Sequence, residues 1–153
     1  MNKYDECLKV MEELFARDSF FALATAKDNI PSVRYIDTYY KDGAFYIVTH
    51  ESLGKVQELT SNPNVALCHF GSRFNGVAKN IGHPLDERNK EIREILIKEF
   101  EPWYFPHNNE EDKGMCYVKV DLTEGSFQKG EHDETIYKID FKNKTGEIIP
   151  PAH

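Results

Sequence analysis

Cysteine is scarce in this chain. Cys7, Cys68 and Cys116 are odd in number and widely spaced, with no C-x-x-C pair, which excludes a disulfide framework and a cysteine-built zinc site. They read as small buried hydrophobes in a reducing compartment. Long apolar runs are missing too, so no segment reaches membrane-spanning length. Met1–Glu6 carries acids where a secretory leader would carry cations. Basic residues are in deficit, with 19 Lys and Arg against 26 Asp and Glu and a formal net charge of −7. A general nucleic-acid surface needs the opposite balance. His50, His69, His83, His107 and His132 show no ligand spacing, so no metal site is expected. Repeats and low-complexity segments are absent. The expected protein is soluble and cytoplasmic, touching neither membrane nor nucleic acid.

The remainder is ordinary globular sequence, 40% hydrophobic and 29% charged over 153 residues, enough for one domain with a proper core. Lys3–Ala16 sets Tyr4, Cys7, Leu8, Met11, Leu14 and Phe15 on one helical stripe, suited to packing on a sheet or plugging a barrel end. Phe20–Ala26 reads as a buried strand and Lys27-Asp28-Asn29 as a turn. Val65–Phe70 and Arg73–Ile81 are expected strands, Gly76 being a candidate bulge. A helix follows Pro84-Leu85, with Asp86 as N-cap and Ile92, Ile95, Leu96 and Phe100 inward. Glu101–Gly114 is irregular, and Trp103–Gly114 is longer and more polar than a connection needs. Met115–Leu122 alternates as a half-buried strand. Thr123-Glu124-Gly125 reads as a turn, Ser126–Gln128 extends the sheet, and Thr135–Phe141 is a last strand. Lys142–His153 is expected to fray. This predicts an α+β, mainly β domain over 1–142, with a tail at 143–153. Its core is an antiparallel barrel of about six to seven strands with two to three flanking helices.

The most informative stretch is Val33–Lys55, VRYIDTYYKDGAFYIVTHESLGK. Two strands, Val33–Tyr40 and Ala44–Thr49, flank the turn residues Lys41-Asp42-Gly43. A helix over Leu53–Thr60 follows at once and ends at Ser61-Asn62-Pro63. Arg34 on the first strand, with Thr49, Ser52 and Lys55 after the second, can converge on one phosphate, because cations, hydroxyls and a helix N-terminus together suit a dianion. The ordinary alternative pairs Arg34 with Asp37 or Asp42, leaves Lys55 in solvent and makes Ser52 a plain cap.

The succession of a helix, FFALATA, PSVRYIDTYY, DGAFYIVT, S-x-x-K, NPNVALCHF, a Gly-containing strand and a charged helix resembles the pyridoxamine 5′-phosphate oxidase-like superfamily. No single motif is decisive; their order and separations carry the likeness, from the first helix to Leu122. The resemblance implies a Greek-key split β-barrel that binds FMN. It implies that Arg34, Thr49, Ser52 and Lys55 hold the phosphate, that the backbone of Tyr35 and Ile36 faces the isoalloxazine, and that Val48 sits at the end of the next strand. It further implies a homodimer with flavin at the interface, where the partner chain supplies residues such as Asn75, Lys79 and Trp103.

The same resemblance implies an FMN-dependent oxidoreductase moving hydride or electrons between NAD(P)H and a small oxidised acceptor of the nitroaromatic or quinone type. Tyr39 stands where the vitamin B6 oxidases carry a substrate-binding lysine, and the tail is short, so that particular activity is not expected. The alternatives are a non-catalytic module holding FMN or another ligand, and a haem-binding relative. No catalytic acid or base is identifiable from the sequence.

Overall fold

The computed structural model describes residues 1–130 and 132–152. Helix α1 (Lys3–Phe15) starts where Asn2 Oδ1 accepts the Asp5 N–H at 2.8 Å, with Asp5 and Glu6 at the positive end of the dipole. Its buried stripe is Cys7, Val10, Met11 and Phe15. Phe15 lies edge-on to Phe21, Phe45, Phe74 and Phe127, so α1 plugs one end of the sheet's interior.

The sheet is antiparallel throughout. Strands β1 (Ser19–Lys27), β2 (Ile30–Lys41) and β3 (Ala44–His50) form a meander; helix α2 (Gly54–Ser61) then leads to β4 (Asn64–His69) and β5 (Ser72–Gly82). A 3₁₀ turn (Glu87–Asn89), α3 (Lys90–Glu99) and the short α4 (Tyr104–His107) precede β6 (Met115–Phe127), β7 (Ile136–Asp140) and β8 (Thr145–Ile149). The order β3-β2-β1-β4-β5-β6-β7-β8, with β3 also paired to β6, closes six strands into a barrel. Because β4 returns to lie beside β1, the first four strands form a Greek key. Inward residues Phe21, Leu23, Ile36, Phe45, Ile47, Leu67, Phe74, Val118 and Val120 fill it, as the alternation of each strand dictates. Helices α3 and α4 cover a second cluster outside, where Leu96, Phe100 and Tyr104 pack on Met115 and Tyr117. No helix among the described residues is long and apolar enough to cross a membrane.

Four expectations are corrected. Thr123-Glu124-Gly125 is not a turn. Strand β6 runs through it, the register slips at Asn75/Gly76 so that Thr123 bulges, and a side chain on Gly125 would strike the Phe74 ring at 2.2 Å. Turn-type residues here serve a bulge and a close ring contact. The tail does not fray, because Thr145–Ile149 pairs with β7 and Ile148 packs against the core. Glu101–Gly114 is not merely irregular but carries α4. It is also pinned: Arg93 grips Glu110 with two bonds of 2.8 and 2.6 Å, and the Trp103 indole N–H donates to Asp18 at 2.8 Å. Finally, Cys68 is exposed, although Cys7 and Cys116 are buried.

The Trp103 anchor adjoins a strained carboxyl pair. Burial, then the hydrogen bond and charge of Asp18, push the Asp37 carboxyl up to about 6. Between its unfolded value of about 4 and that point the native state holds the extra proton, so rising pH lowers stability across this window. Asp37→Asn is therefore expected to melt above wild type at about pH 8 and level with it at about pH 4. A wild-type melting temperature unresponsive to pH across that range contradicts the pairing. The docking of β8 has its own test. A Cβ on Gly146 would lie 2.7–2.9 Å from the Lys3 and Tyr4 backbone, so Gly146→Ala is expected to cost about 1–3 kcal/mol in urea unfolding. A frayed tail would tolerate it.

Candidate functional site

Strands β2 and β3 part soon after their hairpin. They are paired only through Tyr39↔Tyr46, Tyr40↔Phe45 and Lys41↔Ala44. Beyond that, residues Ile30–Thr38 pair with β1 alone and Ile47–His50 with β6 alone. Two backbone edges therefore face each other across an open seam, each with unpaired peptide groups able to meet a planar polar ligand. The seam runs from the Tyr39–Tyr46 rung to the barrel end covered by α2, which seats Val56 and Leu59 in the core.

At that end the inward side chains change from apolar to polar. Arg34 follows Ile36 on the inner face of β2. Its Nη1 donates to the Leu23 carbonyl at 3.2 Å and to Thr25 Oγ1 at 2.7 Å, and its Nη2 to Glu58 Oε2 at 3.2 Å. Thr25 in turn donates its hydroxyl to Glu58 Oε2. Three of the five guanidinium N–H groups are thereby used. Glu58 is held below the usual carboxylate range, chiefly by the Thr25 hydroxyl and then by Arg34.

Lys55 lies one turn before Glu58 on α2. Burial holds its ammonium below the usual lysine range, and the nearby Arg34 charge lowers it further. Among the described residues it has no hydrogen-bond or ion-pair partner. Thr49 points inward on β3 opposite Cys116 and is 6% exposed. Its Oγ1 is the only fully buried side-chain polar atom without a partner among the described residues, an arrangement that costs about 1–3 kcal/mol where nothing satisfies it. Burial, with a smaller push from Glu51, raises the Cys116 thiol to about 11, so it stays protonated.

Sequence reasoning thus placed Arg34, Thr49 and Lys55 at one end of one barrel. Ser52 is different. Leu53 occupies the N-cap of α2 and offers no side-chain bond, while the Ser52 N–H and Oγ both lie on His50 Nδ1, at 3.1 and 2.8 Å. His50 Nε2 meets Asp112 at 3.1 Å, tying the loop after α4 to this edge. Ile36 is buried, and Val48 is half-buried on the outer face of β3. The Tyr35 side chain points outward, 71% exposed, and stacks on Phe20.

Asn75 and Lys79 face outward on β5, where Lys79 pairs with Asp121 at 3.5 Å. Trp103 stacks on Phe100. These three are not part of the corner within their own chain. Reasoning from sequence missed Thr25, Glu58 and Cys116. Glu58 was accessible in principle from its i+3 spacing to Lys55; Thr25 and Cys116 become neighbours only through strand register. Among the described residues no cluster of three or more His, Cys, Asp or Glu could hold a metal.

The comparisons agree with this architecture. Residues 8–129 match the family model described as pyridoxamine 5′-phosphate oxidase. No curated protein sequence matches. Among solved structures, the chain is similar to General Stress Protein 26 of Bacillus anthracis, at 17% identity and a TM-score of 0.57 over 94% of this chain and 97% of that one. It is also similar to a NimC/NimA family protein of Clostridium acetobutylicum, at 22% identity and a TM-score of 0.57 over 92% and 91%. A FAD-binding protein of Mesorhizobium loti gives 21% identity and a TM-score of 0.57 over 78% and 89%. At such identities these likenesses are of fold. With most of its length inside the family model and the split barrel built as described, the chain belongs to the pyridoxamine 5′-phosphate oxidase family.

Proposed function

We propose that the corner formed by Arg34, Thr49 and Lys55 holds the phosphate of FMN, with the flavin ring lying along the seam between β2 and β3. The observation that carries this reading is the buried Thr49 hydroxyl without a partner, together with a half-buried Lys55 equally without one that feels Cys116, the cross-strand neighbour of Thr49. Protein interiors rarely leave such groups unmet, and a phosphate oxygen would satisfy both. Arg34 keeps two N–H groups for the same ligand, and Ser52 can add its hydroxyl by turning from His50. Along the seam the free backbone edge at Tyr35 and Ile36 would meet the ring's polar rim, with Val48 near the opposite edge. The FAD-binding relative supports a flavin-type cofactor.

On this reading the protein is an oxidoreductase that passes hydride or electrons from NAD(P)H to a small oxidised acceptor. The flavin supplies the redox chemistry when bound; the chain binds it, orients it and limits water. We also propose a homodimer. The outer face of β1 and β2 carries Phe20, Val33 and Tyr35, all at least half exposed, and Phe70 follows β4 at 82%. A second copy covering this row would bring Asn75, Lys79 or Trp103 to the neighbouring flavin. Free thiols throughout suit a reducing, cytoplasmic setting.

Flavin titration separates the parts of this reading. Arg34→Ala and Lys55→Ala are each expected to weaken FMN on the order of 10- to 100-fold while leaving riboflavin nearly unchanged. Equal losses for both ligands refute the phosphate assignment. Thr49→Val should raise the stability of the ligand-free protein, since it removes an unmet buried hydroxyl, and should weaken FMN. A destabilised variant would mean the hydroxyl already has a partner. Native mass measurement gives the subunit count, and a protein that binds FMN yet reduces no acceptor from NAD(P)H is not this enzyme.

A further inference from the structure

A carboxylate stands inside the proposed phosphate corner, and it needs a reason. Glu58 takes one bond from Arg34 Nη2 at 3.2 Å, and on the same oxygen it takes the hydroxyl of Thr25. In water a carboxylate beside two cations would simply compete with a phosphate for them. The hydrogen-bond directions here indicate another role. Thr25 donates to Glu58, which turns the lone pairs of Thr25 Oγ1 toward Arg34, and Arg34 Nη1 donates to that oxygen at 2.7 Å. Nη1 also holds the Leu23 carbonyl at 3.2 Å. The guanidinium is therefore fixed at three points, all on the side toward β1 and α2.

We infer that Glu58, acting through Thr25, is a positioning residue that orients Arg34 toward the phosphate. This inference rests on the reading of the corner as a phosphate site. Helix α2 then has two duties one turn apart: Lys55 supplies charge and Glu58 supplies aim. The Arg34 charge also lowers the Lys55 ammonium, and Glu58 meets the Arg34 charge directly at 3.2 Å. A guanidinium recognises phosphate by a planar fork, so orientation is worth as much as charge.

The test sets two opposite outcomes against each other. Purified full-length protein, freed of flavin, is titrated with FMN and separately with riboflavin, for wild type, Glu58→Ala, Glu58→Gln and Thr25→Val. Positioning predicts that Glu58→Ala loses FMN affinity about tenfold or more, with riboflavin unchanged within about twofold. Glu58→Gln, which keeps an acceptor for Thr25 and Arg34, should lie between Glu58→Ala and wild type. Thr25→Val, nearly the same volume, should show the same phosphate-selective loss.

If FMN affinity rises in Glu58→Ala, the carboxylate competes with phosphate and the inference is overturned. Parallel losses for both ligands would reduce Glu58 to scaffolding and overturn it equally. Circular dichroism of each variant excludes a folding defect, and Thr25→Val decides the matter should Glu58→Ala fail to fold. Wild-type protein that binds FMN and riboflavin alike would instead sink the phosphate corner itself, a result distinct from any pattern among the variants.

Discussion

Two cations at one end of a β-barrel repel each other, and the local structure there is arranged around that repulsion. Arg34 reaches the end from β2 and Lys55 from α2. Neither is fully in water, so the push of the Arg34 charge on the Lys55 ammonium is weakly screened. Glu58 offsets one charge and keeps its side chain in place through Thr25. The other charge is left over, beside a hydroxyl with no partner. An anion at this end would remove both deficits at once. Such an end would otherwise select for an apolar cap like the one at the far end, where Phe15 of α1 fills the space among four other phenylalanines. The contrast between a dry plug and a charged, incompletely satisfied mouth is the main functional asymmetry of the fold.

Six strands close because β3 pairs along its full length with β6 on one edge, while its other edge meets β2 over three rungs only. The rest of β2 pairs with β1 over nine consecutive positions and leaves its second edge open. The open edges lead to the charged mouth, so a ligand with a planar body and an anionic tail finds both features in one line. Backbone edges of this kind normally invite another strand. Here α2 covers the mouth, and the loop bearing Asp112 is tied to His50 at the end of β3.

Much of this is legible in the sequence, for identifiable reasons. The stripe Cys7–Phe15, the β-branched and aromatic runs of β2 and β3 and the alternation of early β6 are local patterns, and each found its element. The clustering of Arg34, Thr49 and Lys55 was legible because one hairpin and the first turn of one helix bring them together within 22 residues of sequence. What failed was non-local. Thr123-Glu124-Gly125 has turn chemistry, and only the facing Phe74 and the slipped register turn it into a bulge. Residues 142–152 look like a polar tail until β7 and α1 are in place to receive β8. Thr25 and Cys116 are silent in sequence because strand register, not spacing, makes them neighbours of the corner. The Ser52 hydroxyl lies on His50 Nδ1, two residues earlier, instead of accepting from the N–H groups of the helix end.

The stability relations at the mouth explain how such a site persists. An unmet buried hydroxyl costs about 1–3 kcal/mol, and a half-buried lysine adds desolvation that its lowered pKa records. Both fall near element ends: Thr49 is the last residue but one of β3, and Lys55 lies in the first turn of a helix anchored by Val56 and Leu59. The large apolar contacts lie elsewhere, in the aromatic centre and under α3, so the site can stay incompletely satisfied without loosening the barrel. Arg34 is the exception, because its guanidinium ties two elements, β1 and α2, to its own strand. A group in that position has to be held firmly whether or not a ligand is present. That requirement accounts for a carboxylate being tolerated where electrostatics alone would remove it.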